Sequence, residues 1–142
     1  MFFIKTKEEK QFELERKRAE AHETILDCLS SNQSLKDITL LEMEALLAII
    51  LKKATRLQFQ YGIGGHITAT EDIPTGCIAW SRGIDYIDIH LGNKFTIHNV
   101  SPTESFKGKG SELIMRPDKR AQFSITNYWS NGSHTCSIIA TF

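Results

Sequence analysis

Only three cysteines, Cys28, Cys77 and Cys136, occur in 142 residues, and none belongs to a CxxC pair. An odd number at wide spacing excludes a disulfide framework, a zinc knuckle and a dithiol redox pair. They are expected to be reduced, small apolar side chains of a cytoplasmic protein. Net charge is missing as well, since 17 basic residues balance 17 acidic ones. No whole-molecule field draws such a chain to nucleic acid or to an anionic membrane, so neither is an expected partner and any anion site must be local. Long apolar runs are absent too. The most apolar stretch, Leu40 to Leu51, is broken by Glu42 and Glu44 and falls far short of the roughly 20 residues that span a bilayer. The opening MFFIKTKEEK turns to charge too soon to hold the apolar run of about 7 to 15 residues that a secretory signal needs. No complete catalytic or metal signature is present, so the expectation is a binding protein with no cofactor and no metal.

What the chain does contain is an ordinary globular composition, 41% hydrophobic and 24% charged, which suits one domain over residues 1–142. Thr6 and Glu9 have capping-box spacing ahead of strong helix formers, predicting a helix over about 6–29. Its apolar stripe is sparse at first, because KEEKQFELERKR is nearly all polar. About 23 residues at 1.5 Å each make some 35 Å, so its N-terminal half is expected to project or to mediate homo-oligomerisation. Thr39 and Glu42 repeat the spacing before LLEMEALLAIILKKATRL, predicting a second helix over about 40–57 that is apolar almost all round and closed by Lys52, Lys53 and Arg56.

After Tyr61 the period changes from helical to alternating. Asn131-Gly132 suits a type I′ turn and would place Ser130 opposite Ser133. One face of that hairpin then carries Phe123, Ile125, Trp129, Cys136, Ile138, Ala140 and Phe142, and is expected to cover the second helix. Gly92-Asn93 marks another hairpin, with Leu91 opposite Lys94. In that register neither face is cleanly polar, which suggests cover on both sides by the core and by a loop, ligand or second subunit. The fold class is therefore α+β: two N-terminal helices on a C-terminal antiparallel sheet of five to seven strands.

Three constellations bear on function. In QYGIGGHITA, the glycines follow a helix rather than precede one, so they cannot form a phosphate loop and are expected to end the second helix. His66-Ile67-Thr68 has the order found in half of a two-histidine phosphoesterase site; the available partner, His134-Thr135-Cys136, departs from that pattern at the cysteine. Asp85, Asp88, His90 and His98 invite a metal, but the expected register leaves two on each face, too few for a closed site. The strongest charge bias is Lys107, Lys109, Arg116, Lys119 and Arg120 with Phe106 among them, suited to phosphate contact and stacking. These six residues and His66 are the candidate ligand-binding set. The expected function is capture, without chemistry, of a phosphate-bearing small molecule such as a signalling nucleotide, or of a protein partner, by a homo-oligomer. Small mobile-element proteins that block host defence fit this description. The alternatives are an inhibitor or adaptor acting through the long helix and a small phosphodiesterase using His66 and Thr68.

Overall fold

The computed structural model describes residues 4–63, 66–102, 109–129 and 132–142, and of residues 63, 66–68, 109–110, 126–129 and 132–134 the backbone alone. Helix α1 spans Lys7–Ser31, with the Thr6 hydroxyl accepting the Glu9 N–H at its start and Asn32 closing it in the left-handed region. Helix α2 spans Leu40–Lys53 and begins with a complete capping box: Glu42 N–H donates to the Thr39 hydroxyl, and Thr39 N–H donates to the Glu42 carboxylate. Between the helices lies a two-residue strand, β1 (Leu35–Lys36).

Helix α2 ends four residues earlier than expected. From Arg56 the buried positions alternate, Leu57 and Phe59 inward with Tyr61 half-buried, which is the period of a strand and not of a helix. Strand β2 (Arg56–Ile63) therefore takes up the residues assigned to the end of the helix. QYGIGGHITA is likewise not a helix-to-sheet junction. It is a hairpin joining β2 to β3 (His66–Ile73), with Ile63 paired to His66, and Gly62 stands inside β2. Gly64 and Gly65 lie outside the described residues.

The remaining strands are β4 (Ile78–Arg82), β5 (Ile87–Leu91), β6 (Phe95–Val100), β7 (Lys109–Arg116), β8 (Arg120–Trp129) and β9 (Gly132–Thr141). The described residues thus hold nine strands in two antiparallel sheets, one ordered β1-β7-β8-β9-β2-β3 and one ordered β4-β5-β6. The α+β class with two N-terminal helices stands, with more strands than the sequence suggested because β1 is very short and β2 was hidden in the helical pattern.

Both hairpin registers differ from expectation, with unequal consequences. The β8–β9 ladder pairs Trp129 with Gly132 and Phe123 with Ile138, two residues away from the register that Asn131-Gly132 implies. A two-residue slip returns every side chain to its own face, so Phe123, Ile125, Ile138 and Ala140 face the core as anticipated. In the β5–β6 hairpin Leu91 pairs with Phe95 and Ile89 with Ile97, a slip of one. That slip exchanges one strand's faces. Phe95 and Ile97 thereby join the face of Ile87, Ile89 and Leu91, and an irregularity in the ladder between Ile87 and Ile89 returns Val100 to the same face opposite Ile87; all are buried except half-buried Phe95. The mixed faces were a consequence of the assumed turn; Gly92, at φ +59°, takes the left-handed position in a three-residue loop.

The small sheet and α2 cover the inner face of the large one. Phe95 of β6 stacks against Phe59 and Tyr61 of β2 at ring distances of 4.7 and 5.7 Å, and Arg82 at the end of β4 reaches Glu44 of α2 at 2.6 Å. Helix α1 buries Ala21, Ile25 and Cys28 and packs half-buried Leu26 and Leu29 against the core, all from its C-terminal half, so its N-terminal half projects from the body with Phe12 69% exposed.

This division of α1 and the α2 cap yield a stability contrast. Thr39→Ala removes the acceptor of an N-cap and is expected to cost about 1 kcal/mol in urea unfolding. Phe12→Ser should stay within about 0.5 kcal/mol of the parent, as surface changes do. A large loss for Phe12→Ser would show that the projecting half is packed in solution.

Candidate functional site

Strand geometry divides the candidate residues between two ends of the large sheet. Lys109 opens β7 and Arg116 closes it, and eight residues at about 3.3 Å each separate them by roughly 23 Å. Phe106 and Lys107 lie outside the described residues; in sequence they precede Lys109. At the other end Arg116 and Arg120 are Cα partners across the β7–β8 turn, with Lys119 inside that turn. The basic set is therefore two groups and not one.

The corner at Arg116 is built by the alternation of β7 and β8. Leu113 and Phe123 point into the core, so the even positions Arg116 and Arg120 start on the opposite, uncovered face. Two like charges directly opposite each other sit about 5 Å apart at Cβ and disfavour the ladder. Thr141 of β9 pairs with Arg120 on one side and with Arg56 of β2 on the other, continuing the row. Arg56 is bonded to Asp72 at 3.1 Å, whereas Arg116, Lys119 and Arg120 take part in no ion pair among the described residues.

Beside this corner, on the inner side, lies a groove of about 620 Å³. Its floor is a continuation of the core: Leu26 and Leu29 from α1, Ile49 from α2, Met115 from β7, and Phe142. Lys53, Arg116 and Lys119 border it, together with Asp118. The turn that forms its wall is strained, because Asp118 and Lys119 stand consecutively at φ 65° and 59°, a region that costs residues with a Cβ roughly 1 to 2 kcal/mol each. Sequence reasoning found Arg116 and Lys119 by charge but not Lys53 as their neighbour, nor the floor, whose members come from four separate elements.

At the far end the backbone brings both histidine segments to one strand. Ile63 of β2 pairs with His66 of β3 and with His134 of β9, while Asn127 links His134 to Lys109. The two histidines are thus two strands apart, about 10 Å between Cα atoms.

The acidic and histidine residues of the small sheet also regroup. With the corrected register, Asp88, His90 and Thr96 share its outer face: His90 Nδ1 lies 3.2 Å from Thr96 Oγ1, Asn99 N–H donates to Asp88 at 2.8 Å, and His98 stands 3.8 Å from the same carboxylate. Among the described residues no group of three histidine, cysteine or acidic side chains is arranged to hold a metal. None of the helices described is long and apolar enough to cross a membrane.

Comparison of the chain with protein-family models, with curated proteins and with solved structures found no match in any of the three.

Cys28 is buried and Cys136 half-buried, whereas Cys77 is exposed, so the expectation of a small apolar side chain packed inside does not hold at Cys77. Burial pushes the Cys136 thiol up from 9.0 to about 11, and burial, with Glu42 and Asp27 adding to it, raises Cys28. A raised thiol pKa means that the folded chain keeps a proton the unfolded chain has already lost. Stability from this source is complete below about pH 9 and declines as pH rises toward about 11. Urea midpoints measured across that window are expected to fall for the parent and to fall less for Cys136→Ala; equal declines would exclude Cys136 as the cause.

Proposed function

We propose that the protein is a non-catalytic, cytoplasmic binding protein, self-associating, that captures a small phosphate-bearing ligand at the Arg116, Lys119, Arg120 corner. A signalling nucleotide is one ligand of this class. The observation that carries the reading is the direct cross-strand pairing of Arg116 with Arg120 without an acidic partner among the described residues. Opposed like charges weaken a ladder, and a bound phosphate reverses the sign of that interaction while accepting the bidentate hydrogen bonds that guanidinium groups supply. The neutral net charge fits capture of a small anion at one corner better than tracking of a polymer. Projection of α1 supports self-association, because about half of a 25-residue helix is left for another surface to cover.

A second reading, a phosphodiesterase, draws on the pairing of Ile63 with both His66 and His134. One histidine as base and one as acid is the minimum that such chemistry requires, and Lys109 shares their row through Asn127 and could hold a phosphate.

Calorimetry of the full chain with pyrophosphate and a panel of nucleotides separates the two readings. Capture predicts a ligand recovered intact, with Arg116→Ala and Arg120→Ala each weakening binding by about 10-fold or more, as loss of a charged hydrogen bond does. No binding by pyrophosphate or any nucleotide sinks capture. Hydrolysis of a phosphodiester that survives in both arginine variants and disappears in His66→Ala and in His134→Ala would establish the enzyme instead. Light scattering of a chain lacking residues 1–18 tests self-association, which predicts a smaller assembly with the sheet still folded.

A further inference from the structure

The groove beside the arginine corner says more about the ligand than its charge. It is open to solvent, its floor is aliphatic and aromatic, and its volume of about 620 Å³ falls within the range of small-molecule sites, roughly 300 to 1,000 Å³. A nucleobase is a poor occupant, since its polar edges need hydrogen-bond partners and would be desolvated against Leu29, Ile49 and Met115. An alkyl or aryl body loses nothing on that floor.

Charge on the rim is distributed unevenly. The groove touches the C-terminal ends of both helices through Ser30 and Asn32 of one and Lys53 of the other, and both ends carry partial negative charge. Helix α2 offsets its own with Lys52 and Lys53, whereas α1 has no basic residue in its last turn. An anionic group is therefore repelled at the α1 side and attracted at the side bounded by Lys53, Arg116 and Lys119, where the cations outnumber the one acidic side chain among the described lining residues, Asp118. An apolar body extends from there toward Leu26 and Leu29.

The wall points the same way. Two successive left-handed residues, neither of them glycine, form the turn that carries Lys119, and Phe142 N–H donates to the Lys119 carbonyl at 3.4 Å, tying that turn to a floor residue. Backbone strain of this kind persists where the surroundings fix it, and it concentrates at ligand clamps. Here it fixes the backbone of a lysine that lines the groove.

We infer that the groove between α1, α2 and the β7–β8 turn binds an amphipathic anion, a compound with an alkyl or aryl body lying on Leu29, Ile49 and Met115 and a phosphate or carboxylate head held by Lys119 and Lys53. This inference rests on the capture reading and narrows it, moving the ligand class from nucleotides to acyl or aryl phosphates and acids.

The test is calorimetry of the full chain with four probes: decyl phosphate and decanoate, both below their micelle-forming concentrations, decanol, and inorganic phosphate. Decyl phosphate is expected to bind about 100-fold more tightly than inorganic phosphate, the increment that burial of a few methylenes supplies. Decanoate shares the body and reports whether a carboxylate serves as the head; tight binding by either acid supports the inference. Met115→Gln and Leu29→Gln should weaken decyl phosphate while leaving inorganic phosphate unchanged. Lys53→Ala and Lys119→Gly should weaken decyl phosphate while leaving decanol unchanged, and Lys119→Gly should raise the melting temperature by relieving the strained φ. Melting curves identify any variant that fails to fold, and the exposed Lys53→Ala keeps the test open in that event. If neither acid binds more tightly than inorganic phosphate, the inference fails and capture at the arginine corner stands. Decanol binding as tightly as decyl phosphate also overturns it, because the head is then not recognised. If no phosphate-bearing probe, no nucleotide and no decanoate binds, capture fails and the inference with it.

Discussion

Keeping water away from α2 is the constraint around which the chain is arranged. Met43, Ala45, Leu46, Leu47, Ile49 and Ile50 are buried on a helix of only 14 residues, so its apolar surface extends beyond one face. No single layer can cover such a helix. Helix α1 covers one side with its last third, the inner face of the six-stranded sheet covers another, and the three-stranded sheet approaches from a third, fastened by Arg82 to Glu44. Two consequences follow from this geometry. Half of α1 has no role in the body, and the corner where α1, α2 and the end of the sheet meet stays open as a groove floored by core-like residues.

The same sheet sets the electrostatics. In a run of 120 to 109 along β8 and β7, basic residues that look continuous in sequence are carried to opposite ends of a strand eight residues long. One end holds Arg116, Lys119 and Arg120 beside the groove; the other holds Lys109 in the row that includes His66 and His134. A single phosphate cannot reach both, so the two ends represent different chemistry. The apolar floor at the first end and the turn that carries Lys119 support the proposed ligand, part apolar and part anionic.

Much of the architecture was legible in local chemistry. Thr6 with Glu9 and Thr39 with Glu42 marked both helix starts, because a capping side chain acts on the backbone three residues away and needs nothing else. The apolar face of the β8–β9 hairpin was correct even though its register was two residues off, since alternation cannot distinguish a slip of two. In the β5–β6 hairpin a slip of one inverted the reading: the turn type assumed for Gly92-Asn93 was wrong, and an apparent two-sided cover was only Ile87, Ile89 and Leu91 counted with the wrong partners. The end of α2 was missed because Ala54 and Leu57 continue a helical stripe, and only pairing with β9 and β3 makes Leu57 a strand residue. Of the candidate site, charge marked Arg116, Lys119 and Arg120 in the sequence, but not that Arg116 and Arg120 are cross-strand partners.

Sequence alone determined the class of fold, the two helix starts and the polar first half of α1, all of which depend on residues within a few positions of one another or on total composition. Tertiary structure alone decided which basic residues stand together, that Ile63 lies between two histidines, and that Leu29, Ile49, Met115 and Phe142 form one floor. Those facts depend on ladder register and on the packing of elements far apart in the chain, and neither hydrophobic period nor charge count records a distance between strands.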